Sequence, residues 1–191
     1  MGIELGALDE EPRSPLHASL HRLQPGGATR AELIERVAYA VKVGARRLWL
    51  QGGDVGAHLD LEAVLEEAKR ASLKTAMQSG PRGLVDATRC ARLRALGVDH
   101  VTLLVDVAHE ALSPALHASL PLALHALHAA GIDVGLRVVA VSLDDAHAGV
   151  ERAAMLSTSA RPLKVALSVP EGFLAESTRL FSHLQCTLLE P

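Results

Sequence analysis

The sequence predicts an α/β fold in which parallel strands alternate with outer helices, arranged as a partial (β/α)6-type TIM barrel. From Thr29 onward, apolar runs of strand length alternate with segments of helical periodicity. Three helical segments end at a glycine that directly precedes a strand, namely Gly44, Gly97 and Gly131. Such alternation requires right-handed crossovers between neighbouring strands, and therefore a parallel sheet.

The helices are placed by their start and stop signals. Thr29 and Glu32 form a capping box, with a hydroxyl at the N-cap and a glutamate three residues later. In the helix that follows, helical spacing predicts a buried face of Leu33, Val37, Ala40 and Val41. In the next helix, the same spacing predicts a buried face of Leu61, Val64, Leu65 and Ala68. Helices after the first are predicted over 60–71, 86–96, 113–131, 144–156 and 171–184.

Strands are predicted where apolar runs lie between these helices. They span 47–51, 73–78, 101–105, 134–141, 163–169 and 186–189. Residues 3–8 are a candidate for an additional first strand, and the rest of the region before Thr29 is expected to be loop because Pro and Gly punctuate it. We expect one domain, with an N-terminal strand and loop region over 1–28 and the barrel over 29–191. In such a fold, ligands approach the carboxyl ends of the strands.

Composition and charge exclude several classes of protein. Hydrophobic residues make up 49% of the chain and charged residues 21%, which indicates a globular protein rather than a disordered one. A net charge of −3 gives no electrostatic footprint for nucleic acid. The local cluster of Arg89, Arg92 and Arg94 fits the charged outer face of a helix. No apolar run reaches the roughly 18 residues of a membrane span, and the acidic first residues do not resemble a signal peptide.

The two cysteines, Cys90 and Cys186, lack the spacing of a zinc ribbon or of a disulfide framework. They indicate a reduced, cytoplasmic setting. Cys90 falls within a predicted helix and is expected to be a small core residue rather than a nucleophile.

The turn Gly52-Gly53-Asp54 follows the predicted strand 47–51. Its glycines permit a tight strand-to-helix turn in any α/β protein, and Asp54 is a candidate cap for the next helix. The competing interpretation is a ligand site, because the turn lies at the carboxyl end of a parallel strand.

Four segments in this order and spacing resemble the core of the radical S-adenosylmethionine (SAM) superfamily, in the style of its SPASM-containing peptide maturases. They are 44–54, 73–80, 97–106 and 130–139, which resemble the second to fifth strands of that family. Within the first segment, Gly52, Gly53 and Asp54 resemble its Gly-Gly-Glu motif. The resemblance implies a residual SAM-type site in which Asp54 holds the methionine amino group. Ser79 stands where the family has an asparagine, and Val107 where it has a glycine.

The cysteine loop that defines this family is missing. In the family, a CxxxCxxC loop after the first strand supplies three thiolates to a [4Fe–4S] cluster, whose unique iron binds SAM. The corresponding stretch between Leu8 and Pro25 holds no cysteine, although His17, His21 and Gln24 stand at the family's spacing. Two imidazoles and an amide are a poor substitute for three thiolates. We therefore expect no cluster, no other cofactor, no metal and no radical chemistry.

Other candidate site residues are histidines and acids. Asp106 and His109 are the candidate catalytic pair, since they lie near the carboxyl end of a predicted strand. His125 and His128 share one face of a helix that also contains His117. These histidines are candidate metal ligands. The competing interpretation is that they are solvated surface residues.

Three functions remain open on the sequence. The first is a non-catalytic binding, regulatory or scaffold protein that acts through a protein or peptide partner or as a homodimer, because a partial barrel leaves apolar edges to cover. The second is a metal-dependent or acid–base enzyme that uses Asp54, Asp106, His109 and Arg137. The third is residual binding of SAM or a nucleoside at Gly52, Gly53 and Asp54, without radical chemistry.

Overall fold

The computed structural model describes residues 17–21, 29–52, 54–107, 114–157, 163–168 and 187–189. The strands are β1 His17–His21, β2 Arg47–Gln51, β3 Lys74–Ser79, β4 Val98–Asp106, β5 Asp133–Val139, β6 Lys164–Ser168 and β7 Thr187–Leu189. The helices that carry the argument are α1 Arg30–Lys42, α2 Leu61–Arg70, α3 Ala87–Ala95, α4 Pro114–Ala129 and α5 Leu143–Leu156. Two short 3-10 turns lie at Val55–Ala57 and Arg82–Leu84.

The chain divides into two compact units. The first comprises Pro12–Thr102 and Ser119–Val134, and the second comprises Met1–Glu11, Leu103–Ala118 and Gly135–Pro191.

In each unit, strands that follow one another along the chain pair in parallel. In the first unit β1 pairs with β2 and β2 with β3, with His17 opposite Arg47 and Arg47 opposite Lys74. In the second unit β5 pairs with β6 and β6 with β7. Since parallel neighbours need a crossover, α1, α2 and α5 each connect two paired strands. The predicted parallel α/β class is confirmed.

Helix α1 begins at the predicted capping box. The Glu32 backbone N–H donates to Thr29 Oγ1 at 3.3 Å, and the Thr29 N–H donates to Glu32 Oε2 at 2.6 Å. Leu33 and Val37 are fully buried as expected. Val41 is 44% exposed, so its predicted burial is wrong. At about 100° per residue it lies some 80° round the helix from Leu33, beyond the buried stripe.

The capping box makes stability depend on pH. The backbone and side-chain hydrogen bonds from Thr29 lower the pKa of Glu32 below its ordinary value of 4.5. Because the folded-state pKa is depressed, this contribution to stability is present above pH 4.5 and is lost as the pH falls through the folded-state pKa.

We expect Thr29→Ala to lower the free energy of unfolding by about 1 kcal/mol at pH 7. The difference from the wild type should shrink as the pH falls from 7 towards 3, because protonation of Glu32 removes its hydrogen bonds to Thr29. Urea unfolding of both proteins at the two pH values measures this, and an equal difference at both would contradict it.

The helix-to-strand turns share one backbone geometry. Gly44, Gly97 and Gly131 have φ of +80°, +100° and +71°, as their predicted position after a helix requires. The turn between α2 and β3 has the same form with Ser72 at φ +58°, the one described non-glycine residue with positive φ. A left-handed serine is less favourable than a glycine by roughly 1 kcal/mol.

The structure also differs from the sequence-based boundaries. Strand β1 lies within the region expected to be mostly loop, and the candidate strand over 3–8 and the helix over 171–184 lie outside the described residues. β4 begins three residues earlier than predicted, directly after Gly97.

Within the described part of the chain, no helix is long and apolar enough to span a membrane.

Candidate functional site

Two turns meet at the carboxyl ends of β2 and β3 in the first unit. Gly52 follows β2 with φ +128°, and Asp54 follows two residues later. Ser79 is the last residue of β3 and precedes Gly80. Gly53 lies outside the described residues.

The Ser79 hydroxyl joins these two turns. Ser79 is fully buried. Its Oγ accepts the Gly56 backbone N–H at 2.8 Å and lies 2.7 Å from Asp54 Oδ1, to which it donates. The Gly80 carbonyl oxygen, at 2.9 Å, is the other acceptor within reach of the single hydroxyl proton. The hydroxyl therefore fixes Asp54 to the end of the neighbouring strand.

The two 3-10 turns, Val55–Ala57 and Arg82–Leu84, are in close contact with each other. A Cβ atom on Gly83 would lie 2.3 Å from the Gly56 carbonyl carbon, and one on Gly56 would lie 2.8 Å from Leu84 Cγ. A Cβ on Gly80 would lie 3.3 Å from Asp54 Cγ. The two 3-10 turns are thus tightly packed against each other, and Gly80 is packed against Asp54.

Asp54 does not cap the helix that follows it. It precedes the 3-10 turn Val55–Ala57, but its side chain accepts no hydrogen bond from that turn. The capping role suggested for Asp54 is therefore wrong, because its Oδ1 accepts from Ser79, 25 residues further along the chain.

A second polar cluster lies at the amino ends of β4 and β5. His100 Nδ1 lies 2.9 Å from Asp133 Oδ2, and His100 Nε2 lies 3.2 Å from the buried Thr102 Oγ1. A neutral ring with its proton on Nδ1 satisfies both contacts, since Nε2 then accepts from the Thr102 hydroxyl. Trp49 lies beside this ring, with 6.3 Å between the ring centroids. The sequence analysis did not single out these residues.

The structure does not assemble the other predicted site residues into one described constellation. Asp106 is the partly buried last residue of β4, Arg137 lies within β5, and His109 lies outside the described residues. His17 and His21 both belong to the extended strand β1, opposite Arg47 and Gln51 of β2.

The remaining histidine candidates also stay apart from a defined site. His125 is exposed on α4, His128 is partly buried on the same helix, and Gln24 is not described. Across the described ranges, no group of three or more His, Cys, Asp or Glu side chains could hold a metal ion.

Cys90 is a core residue of α3, as expected. Its Sγ–H donates to the Leu84 carbonyl oxygen at 3.3 Å, and its side chain is fully buried. Burial, assisted by the nearby Asp86 carboxylate, raises the pKa of this thiol to about 11. The thiolate is the reactive form, so Cys90 is a poor nucleophile and a poor metal ligand.

We expect Cys90 to resist a thiol reagent such as dithiobisnitrobenzoate at pH 8 in the folded protein and to react once urea unfolds it. About one molecule in a thousand carries the thiolate at that pH. A Cys186→Ser background removes the other thiol, so that the released chromophore reports Cys90 alone. Rapid labelling of the folded variant would contradict the prediction.

The fold and this site define a parallel α/β protein whose polar groups converge at the carboxyl ends of two neighbouring strands. SuiB of Streptococcus suis bound to precursor peptide SuiA shares the fold, with a TM-score of 0.63 and 10% sequence identity over 88% of this chain and 43% of that chain. SuiB bound to S-adenosylmethionine gives a TM-score of 0.63 and 11% identity over 89% and 44% of the two chains. A protein assigned as a deoxyribose-phosphate aldolase from Coccidioides immitis gives 0.52 and 12% identity over 92% and 70%.

At these identities the likeness shows the fold alone. The chain spans less than half the length of the SuiB chains that it matches. No protein-family model matches the chain, and no curated protein matches it.

Proposed function

We propose that this chain is a cluster-less relative of the radical SAM barrels that acts by binding a peptide partner. The observation that carries the proposal is the connection between β1 and α1. In the family, the cysteine loop follows the first strand. Because His17 and His21 lie within β1, we place the corresponding position at residues 22–29, which corrects the stretch between Leu8 and Pro25 expected from the sequence. This stretch reads Arg-Leu-Gln-Pro-Gly-Gly-Ala-Thr and offers no thiolate.

The two cysteines of the chain do not replace the missing ligands. Cys90 is buried with a raised pKa, and with Cys186 the chain has two cysteines, fewer than the three thiolates of the family's loop. A [4Fe–4S] cluster requires several thiolates close together. The chain therefore retains the fold of such barrels without the groups that radical chemistry needs.

A peptide is the proposed partner because a barrel of this fold binds one. SuiB, which shares the fold over 88% of this chain, is seen with a precursor peptide. The proposal carries the class of ligand to this chain, and not the residues that contact it.

Residual binding of SAM or a nucleoside is a second candidate, favoured by the Asp54 carboxylate. Its Oδ1 is held by Ser79, whereas Oδ2 has no partner among the described residues. A fixed, partly exposed carboxylate oxygen at the carboxyl end of a strand is suited to an ammonium group such as that of methionine.

The likeness to the aldolase structure raises the question of covalent catalysis by a lysine through a Schiff base. The lysines of the chain do not support such chemistry. Such chemistry needs a lysine with a lowered pKa near the reacting carbonyl. Lys42 and Lys69 lie in the last turns of α1 and α2, and Lys74 and Lys164 are the exposed first residues of β3 and β6. None stands at the carboxyl end of a strand, where a barrel enzyme performs its chemistry.

The proposal predicts that protein purified without oxygen, and then incubated with iron and sulfide, holds no cluster. We expect far less than one iron per chain and no absorption near 400 nm, because residues 22–29 supply no ligand. About four irons per chain, with a visible band that dithionite bleaches, would overturn the cluster-less assignment.

Peptide binding is tested separately by selection from a displayed library of random dodecapeptides on the immobilised protein. Enriched sequences should bind the soluble protein with saturation, and the absence of any enriched binder would count against the peptide role.

Calorimetry with SAM and S-adenosylhomocysteine tests the second candidate. Heat that Asp54→Asn abolishes would support it, and no heat at millimolar ligand would dismiss it.

A further inference from the structure

A cleft lies at the amino ends of β2 and β3, at the opposite ends of these strands from the Asp54–Ser79 site. It is an open cleft with a volume of about 500 Å³, lined by two short segments, 45–47 and 71–74. Each segment connects the end of a helix to the start of a strand. The cleft belongs entirely to the first unit.

Three cationic side chains line this cleft. Arg47 Nη2 lies 3.9 Å from Asp99 Oδ2, a loose ion pair that neutralises part of its charge. Arg46 and Lys74 are exposed, and among the described residues neither side chain has a hydrogen-bond or ion-pair partner. The whole chain carries a net charge of −3, so this edge differs in sign from the protein as a whole. An anionic ligand is the natural complement.

Ser72 provides an independent observation at the same place. The three other described helix-to-strand turns with positive φ use glycine, and this one holds a serine at φ +58°. A less favourable backbone conformation that persists often marks a functional position. Here the serine, with its hydroxyl, belongs to the segment that lines the cleft.

The backbone of the cleft offers few free donors for a compact phosphate. The N–H groups of Gly44 and Ala45 donate to carbonyls of α1, and those of Ser72 and Leu73 to carbonyls of α2. The Lys74 N–H donates to the Arg46 carbonyl oxygen. The helices α1 and α2 also end beside the cleft, and the negative ends of their dipoles disfavour an anion held close to the backbone. The side-chain cations are therefore the groups placed to bind an anion here, and each can pair with a separate carboxylate along an extended chain.

We propose that this cleft binds an acidic segment of the peptide partner, with its carboxylates paired to Arg46 and Lys74. The inference rests on the proposed function in that the partner is a peptide. It adds the chemistry of that partner and the place where it binds.

The test uses fluorescein-labelled hexaglutamate and fluorescence anisotropy at low salt. We expect saturable binding to the wild type and a weakening of about tenfold in Arg46→Gln/Lys74→Gln, since two exposed ion pairs are removed. The matched control is Arg30→Gln/Arg82→Gln, which changes net charge equally at two exposed arginines outside the cleft and should keep wild-type affinity. Equal weakening in both double variants would show general electrostatic attraction and overturn the proposal.

Ser72→Gly separates a ligand role from a purely structural one. Relief of the left-handed serine should raise the Tm by about 2 °C, while hexaglutamate affinity falls about twofold through loss of the hydroxyl. A higher Tm with unchanged affinity would remove Ser72 from the site and overturn its assigned role.

Two further outcomes would also overturn the proposal. Displacement of hexaglutamate by inorganic phosphate at an equal concentration would identify a phosphate site instead. An absence of hexaglutamate binding would exclude the acidic segment, while the iron content and the displayed-peptide selection would still decide the proposed function independently.

Discussion

Gly83→Ala is expected to destabilise the first unit by about 3 kcal/mol or more, at the upper end for overpacked sites. The new Cβ would lie 2.3 Å from the Gly56 carbonyl carbon and 2.4 Å from the Ala57 nitrogen. Both are backbone atoms, so no side-chain rotation relieves the clash. The two 3-10 turns would have to separate, which would also pull Gly56 away from the Ser79 hydroxyl. Urea unfolding, followed by far-UV circular dichroism, measures the change.

Gly44→Ala is the matched control for this substitution. It adds the same methyl group where no atom lies within 4 Å, although at φ +80°. Its cost should be about 1 kcal/mol, from backbone conformation alone. If Gly83→Ala proved no more destabilising than Gly44→Ala, the close contact between the two turns would not exist in solution.

Leu65→Ala is expected to lower the free energy of unfolding by about 3 kcal/mol, within the usual range of 2–5 for a buried leucine. Leu65 is fully buried on the apolar face of α2, together with Leu61 and Val64. Removal of its isobutyl group leaves a cavity that the packed surroundings fill only in part.

Leu59→Ala provides the control for the same change of chemistry. Leu59 is 97% exposed, just before α2, and its truncation should alter stability by less than about 0.5 kcal/mol. Both variants are compared by the midpoint and slope of urea unfolding. Similar midpoints for the two would mean that α2 does not pack as described.

The parts of the fold that the sequence predicted are those with local signals. The capping box of Thr29, the glycine after α1 and the buried face of α2 each depend on residues within about one or two helical turns. They formed as expected because short-range geometry determines them. β1 was missed because its sequence, His-Ala-Ser-Leu-His, has no strand pattern of its own. It takes strand form through pairing with β2.

The candidate site was predicted in its parts but not in its connections. Gly52, Asp54 and Ser79 were all identified, yet the hydrogen bond between Asp54 and Ser79 spans 25 residues and depends on the pairing of β2 with β3. The contact between His100 and Asp133 spans 33 residues. A sequence pattern contains no signal for such distances, although the ends of adjacent parallel strands are where long-range contacts of this kind are expected.

Pairing in chain order also bears on how the protein forms during synthesis. His17 of β1 lies 30 residues before its partner Arg47, and Arg47 lies 27 residues before Lys74. Each new strand therefore meets an edge made by the segment synthesised just before it, so that only one crossover with its helix has to close at each step. We expect the first three strands to associate on the ribosome soon after Ser79 emerges, before the later strands exist to compete for the same edge.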